Sequence, residues 1–201
     1  IYYSLNNTGE FIKYQKPFEI SNTTEVFAYY EYKTFSEFKN KSWNLKSNTI
    51  SATYFKKPNN YTINIKSKYN SQYHAGGPEG LIDGIFGTEN WKKGEWQGYQ
   101  SQDFEAVIDL QTNKEISILN ANFLQDSRSW ILMPTELEFL VSMDNITFTS
   151  AGIVKIEENP KETEIFTKSY GINLAKSQKA RYVKVIAKNY GKLPEWHQGF
   201  G

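Results

Sequence analysis

The chain has 201 residues, of which 39% are apolar and 16% aromatic, and it carries a formal net charge of +1 at pH 7. This length suits one larger domain or two small ones, and a charge so close to zero argues against electrostatic capture of nucleic acid or of an anionic membrane. The absence of cysteine excludes disulfides and thiolate metal sites, and no apolar run is long enough to insert into a membrane.

The first 57 residues contain short runs with the two-residue period of β-strands. Ile1–Leu5, Thr24–Tyr32 and Thr49–Phe55 alternate between two faces, and polar turns separate them. Because several such runs follow one another closely, residues 1–57 predict a small antiparallel β-sandwich. The polar, proline-containing segment Lys56–Asn60 marks the expected boundary with a second domain.

Residues 58–201 predict a second all-β domain. Its strand-like runs are Tyr61–Ser67, Ala106–Leu110, Ile116–Leu124, Leu137–Met143, Ile153–Ile156, Ile165–Ile172 and Arg181–Lys188. Almost no segment has helical periodicity. We therefore expect a jelly-roll β-sandwich of eight strands with its long loops gathered at one end.

A long aromatic loop precedes the central strands of this domain. It contains Trp91, Trp96 and Tyr99, and a small domain rarely places so many large rings in a loop unless they cover or bind something. The same loop contains Asp83 and Thr88. Their oxygens, together with the backbone carbonyls of a tight turn, are the kind of ligand that Ca²⁺ prefers, so a structural calcium site is expected there. An ordinary Asp-Gly turn is the alternative.

Two later loops place tryptophans beside polar side chains. The predicted carbohydrate-binding residues in these loops are Asp126, Arg128, Trp130, Asn189, Trp196 and His197. An indole ring can cover the C–H face of a pyranose, while carboxylate, amide, guanidinium and imidazole groups meet its hydroxyls. The alternative is that the rings fill the end of the sandwich or form a contact between domains.

The two arginines have different expected roles. The chain has 23 lysines and arginines, of which only Arg128 and Arg181 are arginine. Arg128 lies in a loop beside Trp130, where its planar fork suits a hydroxyl or carboxylate contact. Arg181 begins a strand, so a structural ion pair is predicted for it.

Four segments of the second domain occur in a characteristic order. They are Leu81–Gly84 with Trp91 downstream, Ala106–Leu110, Val141–Asn145 and Ala180–Val185. This order resembles the coagulation factor V/VIII C-type, or discoidin-like, domain. The resemblance implies a galactose-binding-like β-sandwich, and related modules often hold a structural calcium in the loop that contains Asp83 and Thr88.

Further segments narrow the resemblance. They are Trp96–Gln100, Phe123–Asp126 with Trp130–Ile131, and Lys188–Gly191 with Pro194–His197. These segments resemble the C-terminal module of Bacteroidetes-type family 20 β-N-acetylhexosaminidases. Residues 1–29 resemble the small sandwich that follows the catalytic barrel in that family, and a generic immunoglobulin-like spacer is the alternative.

The ends of the chain suggest a fragment of a longer protein. The chain begins at Ile1 without an initiator Met, so we expect the first domain to be truncated at its N-terminus. It stops at Gly201, before the family's final strand and the glutamate that would complete the calcium site. Loss of that strand is expected to leave a sandwich edge unpaired.

The resemblance implies a non-catalytic C-terminal fragment of an exported bacterial glycoside hydrolase. The family's substrate-assisted reaction needs an adjacent Asp-Glu pair in the barrel, and this chain contains no Asp-Glu dipeptide. The implied partners are a glycan of galactose or N-acetylhexosamine type and the catalytic domain of the parent chain. Two alternatives stay open: the second domain braces the barrel without binding sugar, or the chain is a cell-surface lectin or adhesion module unrelated to a hydrolase.

Overall fold

The computed structural model describes residues 1–200, and most of their regular structure is β-strand. Three short 3₁₀ turns lie in loops, at Pro78–Leu81, Trp91–Lys93 and Ser127–Ser129. The described part of the chain contains no helix with the length and apolarity of a membrane span. The chain divides into two compact units, one of residues Ile1–Lys57 and one that starts at Pro58. The predicted all-β fold class is confirmed.

The first unit has six short strands. They are β1 (Tyr2–Leu5), β2 (Ile12–Lys13), β3 (Thr24–Tyr29), β4 (Glu31–Ser36), β5 (Lys41–Lys46) and β6 (Ile50–Tyr54). Four of them form an antiparallel sheet in the order β2-β1-β3-β6, and β4 pairs with β5 in a separate hairpin. Tyr2 stacks on Tyr29 with 5.2 Å between ring centroids. Ring stacking supplies packing here because, within residues 1–57, all of which the structure describes, only Ser4 and Thr24 are buried.

The second unit has five strands in one antiparallel sheet. They are β7 (Thr62–Ile65), β8 (Phe104–Gln125), β9 (Glu136–Ser142), β10 (Thr149–Lys155) and β11 (Phe166–Lys188), in the spatial order β10-β9-β11-β8-β7. β8 has 22 residues and β11 has 23. Both are far longer than the usual strand of about five to six residues.

β8 and β11 pair along most of their length and bend together. Residues 104–109 of β8 pair with residues 182–187 of β11, and residues 118–125 pair with residues 166–173. The ladder shifts register twice between these two stretches, and Gln111 has a left-handed backbone with φ of 67°. Because side chains from both stretches pack into one core, each long strand contributes to both layers of a sandwich.

The strand count differs from the sequence-based expectation. The alternation pattern predicts separate strands at Ala106–Leu110 and Ile116–Leu124, and again at Ile165–Ile172 and Arg181–Lys188. The structure joins each pair into one strand, so the seven strand-like runs become five strands, and the expected number of eight is wrong. Backbone pairing between β8 and β11 continues around the polar bend, where the side-chain pattern is interrupted.

The core lies between the two layers. β9 supplies Leu137, Phe139 and Val141, alternate residues that are all buried. Leu110 and Ile116 reach the same core from the two sides of the bend in β8. Burial of an aliphatic or aromatic side chain stabilises the fold by roughly 1.5–3 kcal/mol. β9, which lies between β10 and β11 in the sheet, therefore contributes three side chains to the core.

The folded β8–β11 ladder brings the long loops to one end of the sandwich. The segments that leave this end are residues 66–103, 126–135, 156–165 and 189–200. Hydrogen bonds cross between them, since Trp91 bonds to Asp126 and His197 bonds to Ser127. We name this the loop end. All residues predicted to bind glycan or calcium lie in these segments.

A bidentate ion pair holds the bend at the opposite end. The Nε and Nη2 atoms of Arg181 donate to the two carboxylate oxygens of Asp109 at 2.9 and 3.0 Å. The N–H of Gln111 donates to Asp109 Oδ1 at 2.7 Å. The ion pair predicted for Arg181 is confirmed. Its hydrogen bonds are the main reason that the pKa of Asp109 lies below its ordinary value.

We expect Leu137→Ala to lower the free energy of unfolding of the second unit by about 2–5 kcal/mol, because the side chain is 0% exposed and its loss leaves a cavity. Urea denaturation followed by tryptophan fluorescence measures this change. Ile146→Ala is the control, since Ile146 is 84% exposed and its replacement should change stability by no more than about 0.5 kcal/mol. Equal effects of the two substitutions would contradict the central position of Leu137.

The Asp109–Arg181 pair predicts a pH dependence with a defined sign. Because the folded-state pKa of Asp109 is lowered, the carboxylate contributes stability that is complete above the unfolded-state pKa of about 3.9 and is lost as pH falls through the folded-state pKa. The urea midpoints of wild type and Asp109→Asn should therefore differ most above about pH 5 and converge at lower pH. A difference between the two urea midpoints that stays constant down to pH 2 would contradict a stabilising role of the Asp109 carboxylate.

Candidate functional site

Three rings at the loop end form a surface that we name the aromatic ledge: Trp130, His197 and Trp196. His197 is 7% exposed and packs against both tryptophans, with its ring centroid 5.8 Å from that of Trp130 and 5.6 Å from that of Trp196. Trp130 and Trp196 are 59% and 42% exposed. The alternative in which these two rings fill the end of the sandwich is therefore wrong.

The turn after β8 sets the position of Trp130. Asp126 is buried, its Oδ1 accepts the N–H of Ser129 at 3.3 Å, and its backbone pairs with Ile131 in both directions. These bonds close the turn and leave Trp130 in the left-handed region with φ of 63°. This conformation is an outlier for a bulky residue and costs roughly 1–3 kcal/mol, so the surrounding structure must hold it.

Trp91 connects the long aromatic loop to this turn. Its indole Nε1 donates to Asp126 Oδ2 at 3.1 Å, and its ring meets Tyr73 edge to face with 5.7 Å between centroids. Both carboxylate oxygens of Asp126 are thus engaged within the protein. We predicted Asp126 as a sugar contact, but in this arrangement it positions Trp91 and the turn that carries Trp130.

His197 is held in one tautomer. Its Nδ1 accepts the N–H of Gly199 at 3.0 Å, so Nε2 carries the proton and donates to the carbonyl oxygen of Ser127 at 2.9 Å. Both ring nitrogens are therefore used inside the protein. The imidazole holds the segment that carries Trp196 against the turn that carries Trp130.

Ser127 joins a further loop to the same turn. Its Oγ lies 2.8 Å from the carbonyl oxygens of both Pro160 and Glu162. The buried amide of Gln125 donates to the carbonyl oxygen of Asn159 at 2.8 Å. Sequence reasoning missed this loop because its contacts are made by backbone carbonyls, which leave no residue pattern.

Two cations border the aromatic ledge. Arg128 Nη2 donates to the carbonyl oxygen of Thr163 at 2.7 Å, and its other N–H groups make no hydrogen bond with residues 1–200. Lys161 Nζ lies 5.5 Å from the centroid of the Trp196 ring, a cation–π distance that the sequence did not reveal. A guanidinium with spare donors suits hydroxyl or carboxylate groups of a ligand.

Asn189 lies at the loop end, but no described contact joins it to the aromatic ledge. Its N–H donates to Asp103 Oδ1 at 2.8 Å, and its side-chain oxygen accepts the N–H of Gly191 at 2.9 Å. Lys188 Nζ donates to Asp103 Oδ2 at 2.8 Å, and this bond is the main reason that the pKa of Asp103 is lowered. In this arrangement Asn189 shapes the exit of the chain from β11.

The loop of Asp83 and Thr88 is hydrogen-bonded within itself. Asp83 Oδ1 accepts the N–H of Ile85 at 2.7 Å, as in an ordinary Asp-Gly turn. Thr88 donates its N–H to Glu95 Oε2 at 3.0 Å and accepts the indole N–H of Trp96 at 2.7 Å through its carbonyl oxygen.

The donors of this loop fall short of a calcium cage by themselves. Among residues 1–200, no three or more His, Asp or Glu side chains form a group that could hold a metal. Ca²⁺ takes six to eight oxygens, so the side chains of Asp83 and Thr88 would need several backbone carbonyls beside them. Calcium binding at this loop stays a prediction.

The chain matches solved structures of low sequence identity. A Clostridium perfringens module, CpGH89CBM32-5 in complex with GalNAc-β-1,3-galactose, is 20% identical over 65% of this chain and 85% of that chain, with a TM-score of 0.40. The C-terminal domain of a Bacteroides fragilis chitobiase is 19% identical over 73% of this chain and 88% of that chain, with a TM-score of 0.38. A striped bass (Morone saxatilis) fucolectin is 13% identical over 64% of this chain and 42% of that chain, with a TM-score of 0.44.

A comparison with protein-family models identifies the family of the chain. No curated protein sequence matches the chain. The family model described as the F5/8 type C domain, however, matches residues 62–200, which is most of the chain and nearly all of the second unit. This match agrees with the resemblance drawn from the four sequence segments. The chain therefore belongs to the F5/8 type C domain family.

Proposed function

We propose that the second unit is a non-catalytic glycan-binding module and that the aromatic ledge, with Arg128, is its sugar site. The observation that carries this proposal is the pair of exposed tryptophans, Trp130 and Trp196, which pack on the same buried ring of His197, at the end of the unit that also carries a guanidinium with spare donors. Large exposed rings at one end of a domain are typical of an interaction site.

The chemistry of the ledge suits a sugar. One face of a pyranose consists of C–H groups that an indole ring can cover, and its rim consists of hydroxyls that a cationic donor can meet. The strained backbone at Trp130 supports the same conclusion, because such strain collects at functional sites. The site is open, so few ligand atoms are buried and the expected Kd for one sugar is on the order of 0.1–1 mM.

We propose that the parent protein is an exported bacterial β-N-acetylhexosaminidase. The support is the resemblance of Trp96–Gln100, Phe123–Asp126 and Pro194–His197 to the C-terminal module of that family. The first unit would then be the spacer after the barrel, the catalytic domain would be its partner, and tethering would raise the avidity of a weak site for a polymeric substrate. The chain itself carries no Asp-Glu pair for the reaction.

The coding sequence upstream of Ile1 discriminates between the two classes of parent. A barrel with an adjacent Asp-Glu pair is the expected result. Repeated adhesion modules in its place would support the alternative of a cell-surface lectin or adhesion protein.

Sugar binding is testable through the indole N–H signals of isotope-labelled protein. We expect galactose, N-acetylgalactosamine or N-acetylglucosamine to produce saturable shifts at Trp130 or Trp196. Arg128→Ala should weaken binding by about tenfold or more, because hydrogen bonds from a charged donor contribute about 1.5–3 kcal/mol. The indole of Trp43, in the first unit, is the internal control and should not shift.

One outcome would overturn the sugar site. If neither the monosaccharides nor chitobiose moves the signals of Trp130 and Trp196 at tens of millimolar, the second unit braces the catalytic barrel without binding sugar. If sugar binding is observed, Arg128→Lys tests whether it depends on the planar guanidinium, since this substitution keeps the charge but removes the planar fork.

The calcium prediction is tested by melting curves recorded with calcium and with chelator. An ion bound only by the folded state raises the melting temperature, and more so as its free concentration exceeds its Kd. Asp83→Ala should abolish the difference between the two curves, whereas Asp144→Ala, in the turn between β9 and β10, should leave it unchanged. Identical curves for the wild type would exclude a structural calcium.

A further inference from the structure

The aromatic ledge has two open rings, whereas a site for one sugar needs only one. Trp130 and Trp196 are both substantially exposed, and each packs against the buried ring of His197. The two tryptophans therefore form separate apolar surfaces on either side of a shared support. An indole has room for about one pyranose face, so each ring can take one sugar unit.

Hydrogen bonds of His197 tie the segment that carries Trp196 to the turn that carries Trp130. His197 uses both ring nitrogens, one toward Ser127 and one toward Gly199. Gly199 lies directly against the Trp130 ring, since a Cβ at Gly199 would come within 2.8 Å of Trp130 Cζ2. The segment that carries Trp196 is thus locked onto the turn that carries Trp130. A ligand that spans both rings would meet a preorganised surface and lose little free energy in ordering it.

The loop end also carries two cationic donors. Arg128 lies two residues before Trp130 and is fixed through Thr163, and Lys161 lies over Trp196 at 5.5 Å. Neither cation forms a salt bridge with a carboxylate among residues 1–200. Two apolar rings and two cationic donors are therefore present at the loop end.

A small pocket at the loop end is too small for a terminal sugar. It is lined in part by Gln125, Met133, Pro160 and Tyr190 and has a volume of about 20 Å³. This volume holds about one water molecule. The aromatic ledge, in contrast, offers a sugar open apolar rings, with free donors at the same end.

We propose that the aromatic ledge binds a run of two or more sugar units of a glycan chain, with one unit on each tryptophan, in preference to a single terminal sugar. This inference rests on the proposed glycan-binding function and specifies its ligand class. Once the first unit has bound, the second binds intramolecularly, so chain length increases affinity without a new kind of contact.

The test compares sugars of increasing length on the intact chain. Dissociation constants are measured by NMR titration for N-acetylglucosamine, chitobiose and chitotriose, and in parallel for galactose and β-1,4-galactobiose. In the series that binds, the longest sugar should bind at least about tenfold more tightly than its monosaccharide, with shifts at both Trp130 and Trp196.

Single-ring variants separate a two-ring site from a one-ring site. Trp130→Gly suits the left-handed backbone at this position and should fold, and Trp196→Ala removes the other ring. Either variant should reduce the affinity for the longest sugar to that of the monosaccharide. It should weaken the monosaccharide only about twofold, because one of two equivalent rings remains. Phe38→Ala, which removes a 97% exposed ring from the first unit, is the control and should change neither affinity.

The possible failures are distinguishable. Equal affinity for the monosaccharide and the longest sugar would overturn this inference and leave the glycan-binding function intact. An equal loss of affinity for short and long sugars in either tryptophan variant would also overturn this inference and leave the glycan-binding function intact. Absence of binding by every sugar in both series would overturn the glycan-binding function and this inference with it.

Discussion

The antiparallel ladder between β8 and β11 determines where the other parts of the second unit lie. The two strands fold over together, so their side chains close the core from both layers and their ends return to the same end of the sandwich. Asp126 and Ser127 directly follow β8, and His197 lies in the segment after β11. The strands that build the core therefore also position the two segments of the aromatic ledge, one after β8 and one after β11. The pair of Asp109 and Arg181 holds the bend that makes this possible.

Within the ledge, buried and exposed groups have different tasks. Asp126, Ser127 and His197 are buried. Their hydrogen bonds join the turn after β8 to the long aromatic loop, to the loop of Pro160 and to the segment after β11. No buried side-chain nitrogen or oxygen among residues 1–200 lacks a partner. Trp130 and Arg128 remain exposed and available to a ligand. A site is preorganised when the groups that contact a ligand are held by others that do not, and this arrangement fits that description.

The sequence predicts the fold well where side-chain alternation determines it, and less well elsewhere. Alternation correctly predicts a strand at Leu137–Met143, where the structure has β9. It cannot show that β8 continues past Leu110, because backbone pairing with β11 defines the strand there. The β-sandwich class follows from composition and period, while the number of strands depends on a ladder between distant segments.

The sequence likewise predicts some features of the candidate site and misses others. Residue types alone identify Trp130, Trp196 and Arg128 as groups suited to a sugar, and the structure brings them to one end. The roles of Asp126 and His197 could not be predicted, because their partners Trp91 and Ser127 lie 35 and 70 residues away in sequence. Asn189 is a similar case, since its partner Asp103 lies 86 residues away in sequence.

The left-handed backbone at Trp130 lowers folding stability, whereas the exposed ring that it carries is needed for the proposed binding. A glycine or asparagine there would relax the main chain, so a selection for thermal stability alone would be expected to replace the tryptophan. A selection for ligand retention would keep it, together with the buried bonds of Asp126 and His197 that maintain the strain. Engineered variants of this module that gain stability at this position should therefore be checked for lost binding before they are adopted as scaffolds.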